Sequence, residues 1–479
     1  MKYVGFALLI IVGIIVLLLL AALIRTLLIK PKKSTYQPNP DPKRAQEYAE
    51  KLSAMVQVNT VASNEDRRTE AFLEFHKVLA QLFPLVHTHL EKAEIDGNLL
   101  YHWTGAAADK PIVLMAHQDV VPAEGEWIHE PFSGDIADGF VWGRGTADTK
   151  CSLMAIFQSI EELLGEGVVP PQDVYITSSC TEEFGGDGAP KIIAELKRRG
   201  VRPYAVFDEG GGIIDEPVGG VKGSYAMVGT FEKGQGNVKI TARSPGGHSS
   251  APPRKTPLTS LAAFMNDIHS HDPFRREMLP GVKGMFQRLT PYSPFAYRLL
   301  FGNLWLFGGL LMKVMPMVSA QATAMMRTTI AFTMASGSEA RNVIPQEASV
   351  VANLRFIPHQ GKDESFALLE KIAKKHGLEM EVIDGHDSSS SLDLTGDVWA
   401  LTERAIGAAF PELPVVPYVV TGGTDARFYH EICDNCVRFS PVIYGKEQLK
   451  GMHGLNENIS VDCLVGAVDF YKQLILLND

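Results

Sequence analysis

Several short runs in this chain are apolar almost throughout, and each ends in a histidine or a carboxylate. The plainest is PIVLMA, Pro111 to Ala116, followed directly by His117, Gln118 and Asp119. A run without polar alternation suits a strand covered on both faces, as in a parallel sheet between helices. Two more such runs, Val174–Ser178 and Tyr204–Phe207, alternate with helical patterns at Leu153–Leu164 and Ala189–Arg199. This alternation predicts a mostly parallel central sheet that binds ligands beyond the carboxyl ends of its strands.

The pattern changes near Gly234. NVKITARS and VVANLRFI alternate apolar and polar residues, as half-buried antiparallel strands do, and helical patterns lie at Leu258–Ile268 and Glu364–Lys375. A smaller α+β domain is therefore expected as an insertion, after which the last hundred or so residues return to the first style.

The amino terminus is of another kind. Tyr3 to Ile24 carries no charge and is dominated by Leu, Ile and Val. As a helix it would rise about 33 Å, enough to cross a bilayer core. Apolar sequence continues past Arg25, which favours an uncleaved anchor over a signal peptide. Arg25, Lys30, Lys32 and Lys33 follow the span and only Lys2 precedes it, so the positive-inside rule puts the following segment in the cytosol. KPKKSTYQPNPDPKR, Lys30 to Arg44, reads as a tether. A net charge of −10 without a long basic run excludes nucleic acid as a partner. Five scattered cysteines make no disulfide framework, and the lone pair Cys433 and Cys436 reads as structural.

Metal-friendly groups recur at the apparent strand and loop ends: His117 with Asp119, Asp148 in GRGTADTK, Glu182 and Glu183 in SSCTEEFGG, Asp208 in VFDEGG, and His453 in GMHGLNENI. His117 and Asp119, two apart, would share a face of an extended chain, the carboxylate steering the imidazole. Adjacent carboxylates at the end of an apolar run repel unless a cation or a shared proton relieves them. Two histidines and three carboxylates can hold two zinc ions if one carboxylate bridges, leaving a glutamate to move protons.

HQDVVP, GRGTADTK, TEEFGG, FDEGG, GGHSSAPP, NVIP, GGTDA and HGLNENI together resemble the zinc carboxypeptidase and aminoacylase family, in order and spacing. That family includes carboxypeptidase S, acetylornithine deacetylase and succinyl-diaminopimelate desuccinylase. The resemblance covers everything after the tether. Through GGHSSAPP and MMRTTIAFTM it is nearest to the carboxypeptidase S and N-fatty-acyl-amino-acid synthase/hydrolase branch.

The resemblance implies two zinc ions per subunit: His117 and Asp208 on one, Glu183 and His453 on the other, Asp148 between them. It further implies that Asp119 orients His117 and that Glu182 is general base and then acid. His248 would reach in from the inserted domain to stabilise the oxyanion. Arg355, Asn342, Gly423 and Thr424 would hold the substrate's carboxylate, and the Asp148–Thr149 peptide would be cis. The expected layout is a transmembrane anchor over 1–29, a tether over 30–44, a catalytic domain over 45–234 and 386–479, and a ferredoxin-like lid and dimerisation domain over 235–385. A homodimer through that domain is consistent with the resemblance.

The expected activity is hydrolysis of the amide bond of a small peptide or N-acyl amino acid with a free carboxylate. The alternative is a non-catalytic binding relative, but such relatives commonly lose a ligand or the base, and all are present here. A serine hydrolase is excluded by the lack of a G-x-S-x-G elbow. LLFGNLWLFGGLLMKVMPMV, Leu299 to Val318, falls within the inserted range. It reads either as a buried helical hairpin or as a surface that lines an acyl channel or rests on the membrane, and the second reading predicts an apolar substrate.

Overall fold

In the computed structural model, which describes residues 2–38 and 41–479, ten strands form one large sheet. Its centre is parallel: Gln172–Ser178 and Ala205–Asp208 flank Ala107–Met115 and run in its direction, and Cys436–Arg438 extends the parallel order. Antiparallel pairs close the two sides, Glu91–Ile95 with Asn98–Trp103 and Gly212–Asp215 with Ser224–Glu232. The apolar runs are apolar because both faces are covered. Ile112 and Leu114 pack with the helix Cys151–Gly165 on one face, whereas Val113 and Met115 pack with Ile192, Ile193 and Leu196 of the helix Gly188–Arg198 on the other. This is the two-residue alternation of a strand applied to a doubly covered sheet.

A second sheet holds Thr329–Ser336, Glu347–Phe356, Gly234–Arg243 and Glu379–His386 in that order, all neighbours antiparallel. The helices Pro257–His271 and Lys362–Lys375 cover one face, setting Leu261, Phe264 and Leu369 against Val238, Ile240 and Val350. The order strand, helix, strand, strand, helix, strand is that of a ferredoxin-like unit.

Two features differ from the expected layout. The helices between Pro280 and Ala324 lie within the inserted range but leave the small sheet. Their Val282, Phe286, Leu289 and Phe301 pack on Tyr225, Phe231, Val416 and Val419 of the large sheet. The reason is that Ser224–Glu232 and Val415–Val420 are buried at most positions and need cover on both faces. The segment expected to be a tether is held at several points (Asn39 and Pro40 lie outside the described residues). Lys32 N–H donates to Pro291 O at 2.8 Å, Ser34 Oγ donates to Ser224 O at 2.7 Å, and Tyr36 packs edge-on against Phe410.

The helix Cys151–Gly165 is the central support, and its Phe157 is fully buried with the rings of Phe83 and Tyr101 each 5.4 Å away. Phe157→Ala is expected to cost about 3–5 kcal/mol of stability. Denaturant unfolding checks this, and a loss under about 1 kcal/mol would show that this helix is not the support of the core.

Candidate metal centre

Three adjacent parallel strands bring their carboxyl ends to one edge, and the site is built there. His117 follows Ala107–Met115 by two residues, Glu182 and Glu183 follow Gln172–Ser178, and Asp208 and Glu209 end Ala205–Asp208. Asp148 comes from the tight turn before the helix Cys151–Gly165, and its peptide bond to Thr149 is cis, matching the expectation. His453 comes from the loop between Lys446–Gly451 and the strand Asn458–Ser460.

Two donor groups result, and they share Asp148. One consists of His117, Asp148 and Glu209, the other of Asp148, Glu183 and His453, each with its candidate ligand atoms within 4.8 Å of one another. His117 Nε2 lies 3.1 Å from Asp148 Oδ1 and 3.3 Å from Glu209 Oε1. His453 Nε2 lies 2.9 Å from Asp148 Oδ2 and 3.2 Å from Glu183 Oε2. The two oxygens of one carboxylate thus face opposite ways, one to each histidine.

The structure brings Glu209, rather than Asp208, to His117. Asp208 turns the other way, where its Oδ2 accepts the Ala426 N–H at 2.8 Å. Consecutive residues at a strand end point to opposite sides, so only one of this pair can face the cluster. Asp119 stays beside His117 but holds it chiefly through its backbone. His117 Nδ1 bonds to the Asp119 backbone carbonyl at 2.9 Å, and the carboxylate stands 3.6 Å off. That carboxylate instead accepts the backbone N–H groups of Glu182 and Glu183, at 3.2 and 3.0 Å. One buried aspartate therefore positions three residues of the site.

Glu457, which motif reading passed over, holds the other side. Its Oε1 accepts the N–H groups of Ala147 and Asp148 at 2.9 and 3.0 Å, and its Oε2 pairs with Arg144 at 2.7 Å. Arg144 Nη2 donates onward to Gly454 O at 2.7 Å, which ties the bridging turn to the His453 loop. His453 is in the left-handed region (φ 53°), a conformation of some cost for a side-chain-bearing residue that these contacts maintain.

Carboxylates outnumber histidines in the cluster, and its electrostatics reflect that excess. Burial, then repulsion from Asp148 and Asp208, pushes the Glu209 carboxyl up to about 8 against the pull of His117. Glu182 is raised well above the carboxylate range by burial and by Glu209, Asp425 and Glu183, again opposed by His117. Burial alone would lower His117, but Glu209, Asp119 and Asp148 outweigh it and raise the imidazole. Hydrogen bonds donated to Asp148 and Glu183 push His453 up to about 10. Glu183 Oε1 is buried without a hydrogen-bond partner. A divalent cation in each donor group would relieve these repulsions and give that oxygen a partner, so the residues fit metal ions.

The expected carboxylate-binding residues divide. Arg355, in Glu347–Phe356, is held below its usual range by burial and then by Arg427. Neither arginine forms an ion pair among the described residues, so together they offer an unneutralised cationic patch. Arg427 follows the GGTDA motif directly, and that adjacency was the available signal for it. A Cβ on Gly423 would stand 3.0 Å from Arg427 Nη1, so glycine leaves room for the guanidinium. Thr424 faces inward: its N–H and hydroxyl donate to Glu232 Oε2 at 3.0 and 2.9 Å, and Arg438 Nε donates to the same oxygen at 2.9 Å. His248 is exposed at the end of the small domain, bonded through Nδ1 to Ser250 Oγ at 2.8 Å. It pairs with Val343, next to Asn342, whose carbonyl accepts the Ser249 N–H. Neither His248 nor Asn342 contacts the two donor groups in this structure.

A parallel-centred sheet with two histidine–carboxylate donor groups sharing one aspartate defines a metallohydrolase architecture. The comparisons are specific: residues 113–477 match the model of peptidase family M20/M25/M40, and the chain belongs to that family of metallopeptidases. It is 34% identical over 454 residues to the N-fatty-acyl-amino acid synthase/hydrolase PM20D1 of Xenopus tropicalis, covering 91% of this chain and 87% of that protein. It is 28% identical to carboxypeptidase S of Saccharomyces cerevisiae, covering 92% and 85%. Among solved structures, an M20 family metallo-carboxypeptidase of Sulfolobus solfataricus superposes with a TM-score of 0.68 at 18% identity, over 90% of this chain and 99% of that one.

Glu457 touches no candidate ligand atom, yet it holds the backbone leading into Asp148 through the Ala147 and Asp148 N–H groups. Glu457→Ala is expected to weaken metal binding about 10–100-fold and, by leaving Arg144 buried and unpaired, to cost about 3–5 kcal/mol. Glu457→Gln, which keeps an oxygen for the two N–H groups, recovers part of the affinity. Competition against a chromogenic chelator reads this, and wild-type affinity in Glu457→Ala would contradict the assignment.

Proposed function

We propose that this chain is a dizinc amide hydrolase acting on a small peptide or N-acyl amino acid with a free carboxylate. The observation that carries the reading is Asp148 shared between two donor groups, with the unengaged carboxylate of Glu182 beside them. In this reading His117 and Glu209 would hold one zinc and Glu183 and His453 the other, with Asp148 offering an oxygen to each. Zinc ions bound there supply an acidified water and polarise the scissile carbonyl.

The chain's own residues do the rest. Glu182, its carboxyl raised by burial and neighbouring carboxylates, takes the proton from the attacking water and returns it to the leaving nitrogen. Asp119 keeps Glu182 and Glu183 in place through their backbone N–H groups. Arg355 and Arg427 bind the substrate's carboxylate and so set the distance from that carboxylate to the reacting amide. His248 and Asn342 complete the site when the small domain closes on the substrate, either within one chain or across a homodimer.

The helix Lys2–Leu28 is long and apolar enough to cross a membrane, with only Ala22 and Thr26 buried among its described side chains. In the proposed reading it is an uncleaved anchor. The name of one relative, N-fatty-acyl-amino acid synthase/hydrolase, supports an apolar substrate.

Glu182→Gln keeps the shape and removes the proton acceptor, so turnover is expected to fall at least about 10²–10⁴-fold while two zinc ions stay bound. Elemental analysis with a hydrolysis assay reads both quantities, and near-normal turnover would reject the role. Glu209→Ala is expected to lose one of the two metals, whereas Asp208→Ala retains both; the opposite result would return the ligand role to Asp208. Across N-acyl amino acids of rising chain length, kcat/KM is expected to rise, since each buried methylene contributes about 0.8 kcal/mol. A flat profile, or a preference for short charged dipeptides, would overturn the apolar substrate while leaving the metal chemistry intact.

A further inference from the structure

The helices Phe295–Phe301 and Leu304–Val318 meet at a bend of 105° and form the apolar feature that the catalytic reading leaves unused. Helix Leu304–Val318 spans about 22 Å, too short for a bilayer core of about 30 Å. Its inner side is anchored, with Leu304, Leu311, Met312 and Met315 in the cluster over the large sheet. Its outer side is not covered: Trp305, Leu310, Val314 and Met317 are exposed, Met317 by 87%.

What this face meets is indicated by its neighbour. Asn303, fully buried at the bend, donates from Nδ2 to Ala22 O at 3.2 Å, to Thr26 Oγ1 at 3.0 Å and to Leu299 O at 2.9 Å. Ala22 and Thr26 belong to the last turns of the apolar helix Lys2–Leu28. Gly302 sits against the same region, a Cβ there standing 2.7 Å from Arg298 O and 2.8 Å from Ile29 Cδ1. The uncovered face is thus fixed beside the end of the candidate span. Charge agrees: Met278 to Ser338 contains no Asp or Glu in a chain of net charge −10. Arg25, Lys30, Lys32, Lys33, Arg298 and Lys313 lie on or beside these elements, and none forms an ion pair among the described residues.

From this we infer that Leu304–Val318 is a second membrane contact, lying in the headgroup–acyl boundary beside the anchor, with a bilayer containing anionic lipid as its partner. Trp305, Leu310, Val314 and Met317 enter the acyl region, and Lys313 extends its amine back to the headgroups. The catalytic unit is then held against the bilayer by two elements joined at Asn303, rather than hanging from a single helix. This rests on the reading of Lys2–Leu28 as a membrane span.

The test uses the full chain reconstituted in phosphatidylcholine–phosphatidylglycerol vesicles. All five native cysteines are buried, so a cysteine introduced at an exposed position takes an environment-sensitive fluorophore selectively. Labels are placed at Met317→Cys, at Leu17→Cys in the span, and at Ile128→Cys, an exposed apolar position of the catalytic unit. Spin-labelled lipid is expected to quench the probes at 17 and 317 several-fold more than the probe at 128. Quenching at 17 with 317 behaving like 128 would overturn the second contact and leave the anchor standing. Absence of quenching at 17 would remove the anchor and this inference with it. A probe at 317 shielded from aqueous iodide but not quenched by lipid would assign the face to a second copy of the chain and likewise overturn it.

Discussion

The site depends on one carboxylate facing two ways. Asp148 reaches His117 with one oxygen and His453 with the other, and so joins a strand end of the central sheet to a loop more than three hundred residues later in sequence. That geometry is imposed on it. Glu457 grips the backbone at Ala147 and Asp148, Arg144 ties that turn to the His453 loop, and the helix Cys151–Gly165 fixes the turn from below. A bridge of this kind is costly to assemble from flexible parts, because every degree of freedom left in the turn weakens both donor groups together.

The remaining charges follow from where that bridge stands. Carboxylates from three strand ends converge beside it, and burial makes their mutual repulsion expensive unless cations are present. Beyond them Arg355 and Arg427 present positive charge with no acidic partner among the described residues, a suitable seat for the carboxylate of a substrate. Glu232, taken up by Thr424 and Arg438, holds the loop that carries Arg427 to the large sheet. The small domain carries Arg355 at one end of its sheet and His248 beyond the other.

Much of this was legible from residue order. The doubly covered strands, the change of pattern near Gly234 and the placing of His117, Asp148, Glu183 and His453 at strand and loop ends follow from local periodicity and motif spacing. The choice between Asp208 and Glu209 does not, because both end the same strand and only the pleat decides which faces the cluster. Glu457 lies inside HGLNENI but acts on Ala147 and Asp148, 310 and 309 residues earlier, a contact motif order does not reveal, and Arg427 was visible only as the neighbour of GGTDA. The helices from Pro280 to Ala324 looked like part of the inserted domain because chain continuity is all that sequence supplies. Apolar cover for Ser224–Glu232 and Val415–Val420 takes them to the large sheet instead.

The central claim is a pair of metal ions flanking Asp148, and anomalous diffraction at the zinc edge from crystals of the zinc-loaded protein tests it most directly. The account predicts two peaks about 3.5–4 Å apart, one beside His117 and Glu209 and one beside Glu183 and His453, with Asp148 between them. A single peak, or peaks that leave Asp148 uncoordinated, would contradict it.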